Sequence, residues 1–346
     1  MQAGASMAVT QIVLHIGAEK TGTTSLQAAL AKNADRLLDE SSLLYPREAP
    51  LAAGIAHFGL AAAFLDAGQR EFAAPAVTQL AELHEALAAE IARRRPRITV
   101  LSAEHFSSRF QRPQIEALAR FLEPYAVRIV YYARRQDEMA AGAFGTSLVA
   151  GRRDWFDIDA IRPGEFYYDH CQVIDQWAAV FDAANLRVRN YGDVAEMGLI
   201  EDFLTEAGVS PLPALAAVPR ANRALTIREA QFLHALNQHL PTWEEALAGK
   251  GAEAFQAGGR ERLRLLWLLR QDATLPDSPP LTSLIGEAES AAIMSRFATS
   301  NAGLAEKYGV SFAARRKGPM VAVRPGPLEP AVLQLLAMKG ERQDAE

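Results

Sequence analysis

Short apolar runs alternate with longer stretches of helical periodicity along the first two thirds of the chain. The runs are rich in β-branched residues, and continuous apolar runs of this length are typical of strands buried on both faces. The predicted strands are Gln11–Ile16, Ile98–Ser102, Val127–Tyr132 and Leu186–Asn190. The predicted helices are Thr23–Asp39, Val77–Arg95, Pro113–Leu122, Gln136–Val149, Asp169–Asp182 and Leu199–Ala207. This alternation predicts an α/β fold with a mostly parallel central sheet covered by helices on both faces.

Beyond about residue 222 the periodicity is helical only. The predicted helices there are Thr226–His239, Arg260–Arg270 and Glu287–Phe297. We interpret this half as a helical C-terminal flank packed on the sheet, so that residues 10–318 form a single domain. Several prolines and a polar end predict a loosely structured tail over 319–346, with one short helix at Leu328–Met338.

Composition narrows the class of protein without naming it. The 346 residues are 49% hydrophobic and 22% charged, as in an ordinary globular protein. A formal net charge of −5 argues against a nucleic-acid partner, so the basic residues that matter should be local and directed at a small anion. The single cysteine, Cys171, excludes an internal disulfide and a cysteine-based zinc site, and no cluster of metal ligands is visible.

Targeting and membrane signals are also missing from the pattern. No apolar run reaches about 18 residues, so no membrane span is expected. Residues 1–10 lack the basic start and the long apolar core of a signal peptide. Together with the low cysteine usage, this predicts a cytoplasmic protein, and the sequence leaves its oligomeric state open.

The first predicted strand runs into a turn that has the chemistry of an anion site. Gly17 and Gly22 lie in the turn, and a helix opens at Thr23. A helix N-terminus offers unpaired N–H groups and the positive end of the helix dipole. Lys20 adds a charge, and the hydroxyls of Thr23, Thr24 and Ser25 can add donors. The alternative is a threonine-capped helix that binds no ligand.

The order of these residues separates the turn from the nucleoside-triphosphate P-loop, in which the lysine follows the second glycine. Here Lys20 precedes Gly22. The run Lys20–Thr21–Gly22–Thr23–Thr24 after a strand resembles the 5'-phosphosulfate loop of the sulfotransferases, most closely the bacterial families. The resemblance covers roughly residues 10–240. It implies a three-layer, P-loop-like sulfotransferase fold that binds 3'-phosphoadenosine 5'-phosphosulfate (PAPS), releases adenosine 3',5'-bisphosphate (PAP), and needs no metal.

A second anion site is predicted where the strand Val127–Tyr132 ends in Arg134 and Arg135, because an arginine fork suits a phosphate dianion. In the resembling family, the arginine at the place of Arg134 binds the 3'-phosphate. The serine that joins it eight residues later is replaced here by Gly142, which removes one donor from the cofactor site. The alternative for Arg134 is a surface arginine that caps a helix.

Two further elements resemble cofactor contacts of the family. Tyr191 follows the strand Leu186–Asn190, where the family places a tyrosine against adenine; the alternative is a core tyrosine at a strand end. Arg315–Gly318 resembles the basic element that closes over the 3'-phosphate; the alternative is a solvated basic stretch.

Between the two anion sites, the strand Ile98–Ser102 leads into Glu104 and His105. Ligands of open α/β sheets bind at the carboxyl ends of the strands, where a carboxylate can take the proton of an attacking hydroxyl. The family uses a glutamate as base in its carbohydrate-modifying members and a nearby histidine in its small-molecule members. Neighbours in an extended segment point to opposite sides, so we favour Glu104 as the base and leave His105 a packing role as the alternative.

His57 falls where related bacterial sequences carry a histidine, and it is a candidate substrate contact; the alternative is a core histidine. The resulting prediction is a PAPS-dependent sulfotransferase that acts on a small-molecule or saccharide acceptor, a saccharide being favoured because Glu104 matches the carbohydrate-type base. A nucleotide-dependent small-molecule kinase and a non-catalytic nucleotide-binding relative remain alternatives.

Overall fold

The described part of the chain forms two compact units. The structure, a computed structural model, describes residues 10–52, 54–66, 78–164, 167–209, 215–218, 224–242, 245, 251–271, 275–314 and 320–323. The first unit takes the described parts of 1–135, 162–222 and 296–313, and the second takes those of 136–161, 223–295 and 314–346. The single domain expected over 10–318 stays a prediction.

The first unit is built on a sheet of five parallel strands, which confirms the predicted fold class. Its strands are β1 (Gln11–Gly17), β2 (Leu43–Leu44), β3 (Ile98–Ser102), β4 (Ala126–Ala133) and β5 (Leu186–Asn190). Their spatial order is β2-β3-β1-β4-β5. The chain leaves central β1 for one side of the sheet and later crosses to the other, so the carboxyl ends of β3, β1 and β4 lie next to one another.

Helices account for most of the remaining described residues. Those of the first unit are α1 (Thr23–Lys32), α2 (Ala34–Ser41), α3 (Phe58–Ala63), α4 (Leu80–Arg94), α5 (His105–Arg109), α6 (Arg112–Phe121), α8 (His170–Phe181), α9 (Tyr191–Met197), α10 (Leu199–Glu206) and α14 (Ala298–Tyr308). Those centred on the second unit are α7 (Gln136–Val149), α11 (Ile227–Asn237), α12 (Gly251–Gln271) and α13 (Glu287–Arg296). Two single 3-10 turns occupy Ala183–Asn185 and Leu281–Leu284.

Both faces of the sheet are buried, as the continuous apolar runs predicted. On one face, Val13, Val100 and Val130 pack with residues of α1, α2 and α10. Their neighbours along the strands, including Leu14 and Leu101, are fully buried on the other face. Packing on both faces therefore keeps the carboxyl ends of these strands in fixed positions.

The second unit is helical and has an apolar core of its own. Residues of α7, α11 and α12 contribute to this core, which includes Phe144, Leu233 and Leu266. Helix α11 begins with a capping box in which Thr226 and Glu229 each bond the other's backbone N–H. The helical pattern expected beyond residue 222 is thus found, with α12 extending further toward the N-terminus than the predicted Arg260–Arg270.

One predicted helix, Thr23–Asp39, is in fact two, because Asn33 interrupts it. The Asn33 side chain donates to Ala29 O at 2.9 Å and accepts from Ala216 N at 2.9 Å. Asparagine offers the backbone such alternatives to helical bonding and often ends helices. The result is a bend between α1 and α2, and α2 then delivers the chain to the short strand β2.

Several expectations fall on residues outside the described ranges: the loose tail, the helix at Leu328–Met338 and the basic run Arg315–Gly318. Within the described ranges, none of the helices is long and apolar enough to cross a membrane.

A buried polar cluster lies beneath the carboxyl edge, centred on Ser102 at the end of β3. The Ser102 hydroxyl lies 2.8 Å from His15 Nδ1 on β1 and accepts from Gln27 Nε2 on α1 at 3.1 Å. The Ser102 backbone makes two hydrogen bonds with His57. The Ser102 N–H donates to His57 Nδ1 at 3.0 Å, and the backbone N–H of His57 donates to Ser102 O at 3.0 Å. One serine therefore fixes α1 and the approach to α3 against the strand that leads to Glu104.

We expect Ser102→Ala to lower the free energy of unfolding by about 1–3 kcal/mol, because it leaves the buried polar atoms of His15 and Gln27 without their shared partner. Ser311→Ala, at an exposed serine of the same unit, should change it by less than about 0.5 kcal/mol. Urea unfolding followed by circular dichroism measures both. Equal stabilities for the two variants would show that the cluster does not hold the strand and helix together.

Candidate functional site

The turn between β1 and α1 takes the shape of an anion cradle. Gly17, Lys20 and Gly22 all have left-handed backbone conformations, with φ of 92°, 64° and 74°. Such residues, interspersed with ordinary ones, turn backbone N–H groups toward a common concavity, which is a recurrent anion site. Lys20 is not a glycine, so its conformation is strained and has to be held by its surroundings.

The two glycines of the turn are required by close neighbours. A Cβ on Gly22 would lie 2.8 Å from Leu199 Cδ2 and 3.2 Å from Tyr191 Oη. A Cβ on Gly17 would lie 3.1 Å from Glu104 Cα. The turn is therefore enclosed by α9 and α10 on one side and by the end of β3 on the other. Tyr191 lies next to the turn, and its contact with adenine stays a prediction.

The hydroxyls of the turn divide into two pairs. Thr21 and Thr23 are buried, and they donate to Ala18 O at 2.5 Å and to the Glu104 carboxylate respectively. Thr24 is half-buried and Ser25 is exposed. No described side chain caps the first turn of α1. An anion here would be met by backbone N–H groups and by the Thr24 and Ser25 hydroxyls, whereas Thr21 and Thr23 serve the turn itself.

Glu104 is brought to the cradle by a helical turn, and the expected extended conformation is wrong. Its φ and ψ are −68° and −21°, and it precedes α5. The carbonyl of Glu104 accepts from the Ser107 hydroxyl at 3.0 Å and from the Ser107 N–H at 3.2 Å, which closes the turn. Serine three residues ahead is a local signal for such a turn.

The carboxyl group of Glu104 is largely buried and accepts a hydrogen bond from the Thr23 hydroxyl. Burial raises the pKa of Glu104 above its ordinary value, and the nearby charge of Glu19 raises it further. The Thr23 hydrogen bond and the Lys20 charge act in the opposite direction and lower that pKa. The charges of Lys20 and Glu19 thus both act on the Glu104 carboxyl.

His105 points away from that group and packs in the core. Its ring meets the Phe58 ring edge-on, with centroids 4.8 Å apart. Burial, with Arg109 adding to it, lowers the pKa of His105 to about 3, so the ring is neutral at physiological pH. This geometry favours the packing alternative for His105 and Glu104 as the base.

His57 is likewise part of the interior. It is fully buried, and besides its bond to Ser102 its Nε2 donates to Pro46 O at 3.1 Å. Burial lowers the pKa of His57 to about 4. Both ring nitrogens have protein partners, which favours the core alternative; contact with a substrate stays a prediction.

Arg134 lies beside the cradle, at the end of β4. Its guanidinium donates to Lys20 O and lies over the Tyr191 ring, 5.2 Å from the centroid. His170, at the start of α8, holds this end of the strand: its Nε2 lies 2.6 Å from Arg134 O and its Nδ1 lies 2.6 Å from Tyr131 Oη. Sequence analysis missed His170, and the long separation from Arg134 left no local signal for it.

Arg135 faces a different neighbour. It is buried, and its Nη1 donates to Ala313 O at 2.6 Å, while Asn190 Nδ2 at the end of β5 donates to Ser311 O at 3.0 Å. The chain that leads to Arg315–Gly318 therefore passes the carboxyl ends of β4 and β5. Those four residues lie outside the described ranges.

Gly142 lies on α7, in the second unit, where its carbonyl accepts from Thr146. Its assignment to the cofactor site stays a prediction.

Comparison with known proteins gives matches among solved structures and no sequence match. No protein-family profile and no curated protein match the chain. A sulfotransferase from Alicyclobacillus acidocaldarius is similar over 70% of this chain and 98% of its own, with 15% identity and a TM-score of 0.36. The sulfotransferase domain from the curacin biosynthetic pathway is similar over 96% of this chain and 98% of its own, with 9% identity and a TM-score of 0.34. At this level of similarity, the function has to be argued from the site residues themselves.

The donor set suits a phosphorylated or sulfated anion. Backbone N–H groups, Lys20 and Arg134 supply positive potential, and glycine at position 22 would let an anion approach the backbone closely. The Glu104 carboxyl, beside that potential, can accept a proton. Among the described residues, no three histidine, cysteine or acidic side chains are grouped as metal ligands.

The buried charge of Glu104 has a measurable cost. Because folding raises the pKa of this carboxyl, its contribution to stability is full below the ordinary glutamate pKa of 4.5 and is lost as the pH rises through the raised value. We therefore expect Glu104→Gln to raise the unfolding midpoint at neutral pH, with a gain that shrinks as the pH falls toward 4.5. Thermal unfolding across pH 4–8 measures this. Glu85→Gln, at an exposed helix position, is the control and should give no pH-dependent gain; the same behaviour in both variants contradicts the argument.

Proposed function

We propose that this chain transfers a sulfuryl group from PAPS to a hydroxyl or amine of an acceptor molecule. The observation that carries the proposal is the joining of the Lys20–Thr24 turn to Glu104 through the Thr23 hydrogen bond. This bond brings an anion cradle, a cation and a desolvated carboxylate together in one unit of the protein. The resemblance of the turn to the 5'-phosphosulfate loop supplies the identity of the anion.

The residues of the turn would hold the sulfated end of the donor. The N–H groups at the start of α1, with Thr24 and Ser25, would bind the 5'-phosphate. Arg134 would take the 3'-phosphate with the guanidinium donors other than the one given to Lys20 O, and Tyr191 would lie against the adenine. Bound PAPS supplies the sulfuryl group and a phosphate leaving group.

Catalysis then depends on charge and positioning. Lys20 stabilises the negative charge that develops on the leaving phosphate oxygen, as cations do in phosphoryl transfer. Glu104 accepts the proton of the attacking O–H or N–H. Its raised pKa makes it a stronger base than an exposed glutamate. Positive charge from lysine and arginine takes the place that a metal has in kinases.

A saccharide hydroxyl is the first candidate acceptor, because a glutamate base at this place resembles the carbohydrate-modifying members of the family. His105 is buried against Phe58, which leaves the histidine-type base of the small-molecule members without an exposed counterpart here. Phenols, lipid headgroups and amines form the rest of an acceptor panel.

Ligand binding separates this proposal from a kinase. We expect calorimetry to show binding of PAP and no binding of ATP with magnesium, because the turn presents its lysine before the second glycine. Lys20→Ala should weaken PAP binding, and Lys32→Ala, at the exposed C-terminal end of α1, should not. Preference for magnesium–ATP over PAP is the result that would support the kinase and reject sulfuryl transfer.

Turnover separates the enzyme from a non-catalytic relative. With PAPS and the acceptor panel, we expect Lys20→Ala and Glu104→Gln each to lower the rate of PAP release by about 100-fold or more, since each removes a group that acts on the reacting atoms. Glu104→Gln should still bind PAP. If Glu104→Gln binds PAP and turns over at the wild-type rate, Glu104 is not the base; if the wild type binds PAP and no acceptor is sulfated, the non-catalytic alternative gains.

A further inference from the structure

The strained backbone of Lys20 has to be held in place by contacts from outside the residue. A lysine at φ 64° lies in the left-handed region, which non-glycine residues seldom occupy unless the surrounding structure imposes it. Since the direction in which the Lys20 Cβ leaves the main chain follows from this backbone conformation, whatever holds the backbone also sets where the Lys20 side chain starts.

Three contacts hold the segment around Lys20. Arg134 donates to the Lys20 carbonyl from the end of β4, and the Thr21 hydroxyl donates to Ala18 O within the turn. The third contact comes from the loop before α8, where the Tyr167 hydroxyl donates to Glu19 Oε2 at 3.3 Å. Glu19 is the residue directly before Lys20, so this bond ties the turn to the loop before α8, a different element from the one that supplies Arg134.

We propose that Tyr167 and Glu19 are a positioning pair for Lys20. The inference rests on the proposed function for what Lys20 does, but the pair itself stands on the contacts above. Neither residue belongs to the family motif described for the turn, and the two are separated by 148 positions in the chain.

Tyr167 is well suited to hold a carboxylate. Its ring meets the Tyr168 ring edge-on at 4.9 Å, and Tyr168 in turn lies against Phe297 on the first unit. Burial, followed by the charge of Glu19, raises the pKa of Tyr167 well above its usual value, so its hydroxyl keeps its proton and stays a donor. A rigid, protonated donor fixes the Glu19 carboxylate in one direction.

The positioning of Lys20 is tested by calorimetry of PAP binding to the wild type, Tyr167→Phe, Lys20→Ala and the double variant. Tyr167→Phe keeps the ring and removes only the donor, and we expect PAP affinity to fall roughly 3- to 10-fold, the range of one hydrogen bond. Lys20→Ala should then weaken PAP binding less in the Tyr167→Phe background than in the wild type, because Lys20 is no longer held in position in that background. Tyr125→Phe, at the amino end of β4, is the matched control and should bind as the wild type does.

Wild-type affinity for Tyr167→Phe, or strictly independent effects of Tyr167→Phe and Lys20→Ala, overturns the positioning of Lys20. Absence of PAP binding by the wild type is a failure of the proposed function instead. In that case the pair is judged by urea unfolding of Tyr167→Phe, Glu19→Gln and their double variant: non-additive losses support the pair, and additive ones overturn it.

Discussion

The hydrogen bond from the Thr23 hydroxyl to the Glu104 carboxylate is the interaction on which the site depends. Thr23 is the first residue of α1, and Glu104 follows β3, the strand next to β1. The bond therefore fixes the Glu104 carboxyl relative to the start of α1. Ser102 on β3 makes a second connection one helical turn further along α1, where Gln27 donates to its hydroxyl and His15 of β1 contacts the same hydroxyl. Helix α1 and strand β3 are therefore joined both at the carboxyl edge of the sheet and beneath it.

The carboxyl edge of the sheet also collects several features that lower the stability of the fold. Glu104 is a carboxylate with little solvent, Lys20 has a left-handed backbone, and Gly17 and Gly22 leave no room for a side chain. Sites that break local rules in this way are commonly functional, and the stability they lose is supplied elsewhere in the fold. Here that stability comes from the sheet, whose central strands bury apolar side chains on both faces.

Sequence reasoning located the strands, the turn and Glu104 because their signals are local: apolar runs, glycines, and polar residues where a strand ends. It failed where distant partners decide the conformation. Asn33 divides a helix partly through a bond to Ala216, and β2 has only two residues, too few for a pattern. His170 and Tyr167 contact Arg134 and Glu19 across 36 and 148 positions, and no spacing along the chain predicts such pairs.

The division of the chain also bears on Gly142, the one departure from the family pattern. Lys20, Glu104, Arg134 and Tyr191 all lie in the first unit, whereas Gly142 lies on a helix of the second. Under the proposed function, a missing hydroxyl at Gly142 would concern only the 3'-phosphate end of the donor. The sulfuryl end would depend on Lys20 and Glu104, whose contacts described above lie in the first unit. Glycine at position 142 would therefore weaken the hold on the nucleotide and leave the chemistry at the sulfuryl group unchanged.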